Sequence, residues 1–191
     1  MGIALSALGL LLASAACGLS VALALRVKKL LDPLTEEGLL SGRRVEGPGT
    51  GSLVPRPGAL VGMDGAQVEL PADGSKPWVL AFQAVGCTGC KQQLPAYKKF
   101  LRNMALDRDR VFSVVVGDKD GVSLYDDELG EYAHVVHGAD NALRLVQELG
   151  VSMFPTYLVV DGNGRVLASP QSSARLAEIG AGLLTPVPVG A

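Results

Sequence analysis

Two cysteines separated by two residues, Cys87 and Cys90, are the side chains in this 191-residue sequence best placed to carry chemistry. They stand in Gly86-Cys87-Thr88-Gly89-Cys90-Lys91, after the apolar run Trp78-Val79-Leu80-Ala81-Phe82 and before a segment with helical spacing. A cysteine in the first turn of a helix meets unpaired backbone N–H groups and the positive end of the macrodipole, and both favour a thiolate. Lys91 adds a positive charge next to them. Two sulfurs one turn apart can also close a small disulfide ring without moving the scaffold. The chemistry this allows is thiol–disulfide exchange. Cys87, on the exposed side, attacks a partner disulfide, and Cys90, one turn deeper, resolves the mixed disulfide. The plainer alternative is a static disulfide or two buried thiols.

A metal reading uses the same cysteines. His134 and His137 are the only histidines, so the chain holds a nominal four-ligand zinc set. Structural zinc sites space their histidines by three to five residues and keep them closer to the cysteines. If residues 134–136 form a strand, side chains three apart leave opposite faces. A copper-delivering version lacks an obvious histidine near the cysteines. Asp126-Asp127-Glu128 could supply acid–base chemistry, yet three acids expected near a helix start more often serve the dipole and solubility. The glycine-rich 161–164 lacks a Walker-type Lys-Ser/Thr, which leaves phosphate binding unsupported. No NAD, flavin or haem signature is present, so no cofactor is expected. From spacing alone Pro155, in Met153-Phe154-Pro155-Thr156, is a trans strand-entry residue, because X-Pro bonds in folded proteins are seldom cis.

The elements that must position the cysteines follow from pattern. The spacing predicts a short hairpin, 60–63 and 67–70, around Asp64-Gly65. Residues 78–82 and 111–116 read as strands buried on both faces. Residues 91–104 are expected to be helical, with Leu94, Tyr97, Leu101 and Met104 on one face. A helix over 124–132, a brief strand at 134–136 and a helix over 139–149 follow. Strands at 156–160 and 165–168 flank a turn, and residues 172–183 form the closing helix. Strands alternating with helices, then a terminal hairpin and helix, indicate a layered α/β sandwich.

Hydrophobic residues make up 48% of the chain and charged residues 19%, enough for a packed core. A net charge of -2 with no basic, aromatic-rich cluster argues against nucleic-acid binding. Residues 3–25 carry no charge and, as a helix, would rise about 35 Å, enough to cross a hydrocarbon core of about 30 Å. A cleaved signal would want a basic start that Met1-Gly2 lacks, and a lipoprotein signal using Cys17 would want an aliphatic residue at Ser14. An uncleaved anchor is therefore expected, with Cys17 as a small membrane residue. The expected organisation is residues 1–2, a membrane helix at 3–25, a juxtamembrane segment and Gly/Pro linker at 26–58, one domain at 59–184, and a tail at 185–191. Arg26, Lys28 and Lys29 follow the helix and, taken literally, place the domain in the cytoplasm.

The residues 58–183 resemble the thioredoxin superfamily, specifically TlpA-like membrane-anchored thiol–disulfide proteins. The resemblance rests on Val79-Leu80-Ala81-Phe82 leading to the cysteines, on Lys91 and Pro95 after them, and most specifically on Leu149-Gly150-Val151 through Phe154-Pro155-Thr156-Tyr157-Leu158-Val159-Val160-Asp161. Within the branch the layout most resembles MauD-type proteins, accessory factors in maturing methylamine dehydrogenase. The resemblance implies a thioredoxin-like fold: a central mixed sheet flanked by helices, with an N-terminal hairpin extension and a branch-typical insertion at 124–136. It implies that Pro155 is cis and that Phe154 and Pro155 form a substrate-facing wall opposite Cys87 and Cys90, with Thr88, Gly89 and Lys91 in support. It also implies protein thiol or disulfide substrates, an integral membrane electron carrier as partner, and a domain outside the cytoplasm, where protein disulfides persist.

Two departures from the family stand out. The position of thioredoxin's buried acid is Ala81, and the glutamate that several TlpA-like reductases carry three residues past the second cysteine is Gln93. Both usual proton acceptors for the resolving thiol are missing.

Overall fold

A strand that is apolar on both faces is stable where both faces are covered, and the centre of the sheet is made of such strands, broken only by the buried Gln83, Ser113 and Thr156. In the computed structural model, which describes Arg26 and residues 47–71, 74 and 76–184, strand β3 (Trp78–Ala84) is buried along all but its last residue. Its neighbours are β4 (Val111–Val116), parallel, and β6 (Thr156–Val160), antiparallel. Strand β5 (His134–His137) adds in parallel outside β4, and β7 (Val166–Ala168) antiparallel outside β6, giving the order β5-β4-β3-β6-β7. A separate two-stranded hairpin, β1 (Leu60–Val61) and β2 (Gln67–Val68), is shorter than its sequence pattern predicts and reaches β5 through a bridge between Gly62 and Val136.

Alternation along β3 divides the core in two. Val79 and Ala81 face helices α1 (Thr88–Met104), α2 (Lys119–Leu129) and α4 (Ser173–Leu184), which contribute Tyr97, Leu101, Tyr125, Leu129 and Leu176 to one apolar layer. Trp78, Leu80 and Phe82 face the other layer, closed by helix α3 (Asn141–Glu148) through Ala142 and Leu145 and by Val54, Leu60 and Leu70. The mixed sheet with helices on both sides is the expected fold.

Three local readings change. Helix α2 starts at Lys119 rather than 124, because Asp118 caps it, its Oδ1 accepting from Gly121 N at 2.7 Å. Asp126, Asp127 and Glu128 therefore fall in its last turns and cannot serve the positive end of its dipole; Glu128 instead pairs with Lys98 at 3.0 Å. Part of the expected linker joins the sheet. Gly51 N donates to Val166 O and Val166 N to Ser52 O, with Val54 buried, so an extended Gly/Pro-flanked stretch covers the free edge of β7. The segment expected to span a membrane (3–25), the helix expected after it, Arg26 apart, and the tail 185–191 lie outside the described residues. Among the described residues no helix is long and apolar enough to cross a membrane.

Candidate active site

Strand β3 ends at Ala84, and three residues turn the chain into α1. Gly86 takes φ +78°, a left-handed conformation that a side chain would resist. Val85 N donates to Val116 O at 2.8 Å and Tyr125 Oη to Ala84 O at 3.1 Å, tying the turn to β4 and α2. Cys87 then sits at the N-cap of α1 in extended conformation, and its sulfur accepts from Cys90 N at 3.1 Å. One of the orphan donors that every helix start carries is thus aimed at the Cys87 sulfur, the interaction that favours a thiolate there.

Cys87 and Cys90 are joined as a disulfide, their Cα atoms 5.3 Å apart. The two sulfurs have different surroundings. Cys87 is half-buried at the surface, whereas Cys90 is fully buried in the layer beneath α1. An external thiol or disulfide can therefore reach only the first.

The second wall comes from 67 residues downstream. The Phe154–Pro155 peptide is cis, and the Phe154 carbonyl oxygen lies 3.5 Å from Cys87 Sγ, within reach of a reduced Cys87 S–H. Thr156 Oγ1 donates to Met153 O at 2.8 Å, fixing the turn before β6. Gly89 faces Pro155, where an added Cβ would come within 3.9 Å of the ring. Met153 is 42% exposed at the rim, while Pro155 is buried. Thr88 and Lys91 are exposed on the first turn of α1. The structure thus gathers Cys87, Cys90, Phe154, Pro155 and Gly89 at one place.

The profile of the family described as "Thioredoxin-like domain" matches residues 63–179, more than half of the sequence. The chain belongs to the thioredoxin-like family. With a Cys-x-x-Cys disulfide at the head of α1, it is a thiol–disulfide oxidoreductase of that family.

Solved structures similar to this thioredoxin-like chain agree on the fold. A thiol:disulfide interchange protein from Bacteroides sp. superposes with TM-score 0.61 at 19% identity, over 74% of this chain and 94% of that one. One from Chlorobium tepidum TLS gives TM-score 0.58 at 21% identity over 72% and 99%. A secreted Mycobacterium tuberculosis disulfide oxidoreductase homologous to Escherichia coli DsbE gives 0.54 at 16% over 66% and 96%. A comparison with curated protein sequences finds no significant match.

The thioredoxin-like chain does not bring its histidines to the cysteines. His134 Nε2 lies 2.8 Å from Asp109 Oδ1, and His137 Nε2 lies 2.9 Å from the Gly117 carbonyl oxygen. Among the described residues no group of three or more His, Cys, Asp or Glu side chains converges as a metal site would require. The nominal zinc set is therefore not assembled.

Both positions where the family's acids are absent have definite surroundings. Ala81 is fully buried in the middle of β3, and Gln93 Oε1 accepts from Ser173 N at 2.8 Å at the start of α4. Sequence reasoning missed what surrounds Ala81. The register sets Ser113 of β4 on one side of it and Tyr157 of β6 on the other, and Tyr97 of α1 packs on Tyr157 with ring centroids 4.8 Å apart. Burial pushes both phenols well above their ordinary pKa, so they stay protonated.

Proposed function

We propose that this chain is a membrane-anchored thiol–disulfide oxidoreductase whose Cys-Thr-Gly-Cys pair exchanges with exported proteins, and that Phe154 and Pro155 form the surface a partner docks against. The observation that carries the site assignment is the asymmetry of the two sulfurs: Cys87 is half-buried and 3.5 Å from the Phe154 carbonyl oxygen, while Cys90 is fully buried.

In the reducing direction the Cys87 thiolate attacks a partner disulfide, forming one S–S bond and expelling one partner thiolate. Cys90, deprotonated, then attacks Cys87 Sγ. The Cys87–Cys90 bond forms, the mixed disulfide breaks, and the second partner sulfur leaves and takes a proton. The partner gains two electrons and the protein loses two. The same steps in reverse oxidise a partner. An extended partner segment beside Cys87 would lie along 153–155, where the Phe154 carbonyl is presented to the sulfur.

The anchor rests on the uncharged run at 3–25, long enough for a bilayer. An extracytoplasmic domain, recharged or reoxidised by an integral membrane electron carrier, follows from the TlpA-like resemblance and from where protein disulfides persist. The MauD-like layout makes a disulfide-rich exported enzyme the first substrate class to try. Trapping tests the site: full-length Cys90→Ser, expressed in its own host, should accumulate covalent adducts with exported proteins that dissolve under reductant. A reporter fused at the C-terminus and active only outside the cytoplasm should be active; activity of a cytoplasm-only reporter would overturn the placement.

A further inference from the structure

The outer side of α1 carries a charge pattern that helix stability does not call for. Its 17 residues hold Lys91, Lys98, Lys99 and Arg102 and not one acid, in a chain whose acids outnumber its lysines and arginines 19 to 17. Lys98 is paired with Glu128 of α2 at 3.0 Å. Lys91, Lys99 and Arg102 are exposed, and among the described residues none of them is in an ion pair. At about 100° of turn per residue the three fall on one side of the helix, and Cys87, the N-cap, heads the same side. From Lys91 to Arg102 the helix rises about 16 Å.

Helix energetics work against this arrangement. Lys91 lies in the first turn, where the macrodipole favours acids and none is present. Lys99 and Arg102, three residues apart, repel one another. The neighbouring helices differ: on α4 Arg175 pairs with Glu178 at 2.7 Å, and α2 ends among Asp126, Asp127 and Glu128. A surface that only has to stay in water intersperses the two signs. Here they are sorted, and the reactive sulfur stands at the head of the positive side.

We propose that the outer side of α1 is a docking face for an acidic stretch of a protein partner, next to the disulfide that Cys87 attacks. The face is continuous with the reactive site, because Lys91 stands one turn along α1 from Cys87. While a mixed disulfide exists, partner chain has to lie over that first turn, since Cys87 is at the surface and Cys90 is buried beneath. An extended segment advances about 3.3 Å per residue, so roughly five residues beyond the partner's cysteine span the face. Aspartates or glutamates among them meet Lys91, Lys99 and Arg102. Charge so placed speeds encounter and selects partners. A bilayer surface fits the face less well. The exposed residues of α1 include no aromatic and no large aliphatic side chain to enter the acyl boundary.

This inference rests on the exchange reading, and the experiment separates the two. Reduced full-length protein is mixed with synthetic peptides, each closed by one internal disulfide, that differ only in whether the residues flanking the bridge are acidic, neutral or basic. Oxidation of Cys87 and Cys90 is followed by quenched alkylation at low salt and at about 0.5 M salt. At low salt the parent should react with the acidic peptide at least about tenfold faster than with the neutral one, the low end of electrostatic steering, and the basic peptide should be slowest. At high salt the three rates should converge. In the double variant Lys99→Glu, Arg102→Glu the acidic advantage should disappear while the neutral peptide keeps the parent rate; Lys99→Arg with Arg102→Lys should retain it. An acidic advantage that survives the reversal, or no advantage in the parent, overturns the docking face and leaves exchange standing. No reaction of the parent with any peptide sinks the exchange reading itself. If the neutral peptide reaches the full chain in vesicles of neutral lipid but not in vesicles of anionic lipid, α1 lies on lipid and the assignment to a protein partner is overturned.

Discussion

Cys87 Sγ sits 3.5 Å from the carbonyl oxygen of Phe154, although the two are 67 positions apart in the chain with strands β4 and β5 between them. The sheet order makes that meeting inevitable: β3 delivers the cysteines and β6, its antiparallel neighbour, begins where β3 ends, with Phe82 in register with Thr156. The reactive sulfur and the surface beside it are fixed by one strand pair.

The two cysteines should fail differently. Cys87→Ser should abolish exchange with any disulfide, because Cys90 is buried. Cys90→Ser should still form mixed disulfides but not release them. Non-reducing electrophoresis and mass measurement after mixing with a model disulfide peptide distinguish the two; equal loss of adduct formation in both would contradict the assigned roles.

Gly121 lies in the first turn of α2, where alanine would ordinarily stabilise a helix by about 0.5–1 kcal/mol. An added Cβ would instead overlap Val85, two residues before Cys87, whose branched side chain cannot swing away easily. Gly121→Ala should therefore cost about 1–3 kcal/mol in chemical denaturation. Placed in a Val85→Ala background, the same change should become neutral or stabilising, and a double-mutant cycle measures the coupling. Additive effects would contradict the contact.

Gln93 ties α1 to the head of α4 through Ser173 N. Gln93→Ala should lower stability by about 1 kcal/mol, as loss of a helix cap does. Gln93→Glu keeps the acceptor and adds charge at a helix N-terminus, so it should hold or raise stability at neutral pH. A loss in Gln93→Glu as large as in Gln93→Ala would show that the bond is not made in solution.

Asp126 has its carboxyl pKa raised, first by burial and then by the charges of Asp64 and Asp127. A carboxyl whose folded pKa is raised adds stability at low pH and loses it as pH rises through the folded value. Asp126→Asn should thus raise the thermal midpoint at neutral pH, and the gain should shrink as the pH is lowered and Asp126 protonates. A gain that is constant with pH would mean the charge is not the cause.

Much of this was legible in advance, and the reasons for the exceptions are physical. Residues 111–116 and 156–160 were readable to the residue because the first is apolar but for Ser113, as a strand covered on both faces allows, and the second runs straight into the turn Asp161-Gly162-Asn163-Gly164. The start of α2 was not, since Gly117 and Gly121 punctuate it like a turn; Asp118, three residues before Gly121, was the capping signal available. The pairing of residues 51–54 with β7 leaves no periodic trace, because an edge can be covered by backbone alone. The group around Ala81 was hidden for another reason. Ser113 and Tyr157 flank it only through the registers of two strand pairs, which join residues 32 and 76 positions away and are invisible in local spacing.

The central claim is that the Cys87–Cys90 bond is a working redox couple and not a structural brace. Its direct test is the reduction potential of the pair in the full chain, by thiol trapping across a dithiol series. The account expects a reversible two-electron couple that gains two thiols, with a potential between about -120 and -270 mV, the span of exchange-active thioredoxin-fold proteins. A bond that yields only below about -300 mV, as structural disulfides of secreted proteins do, would contradict it.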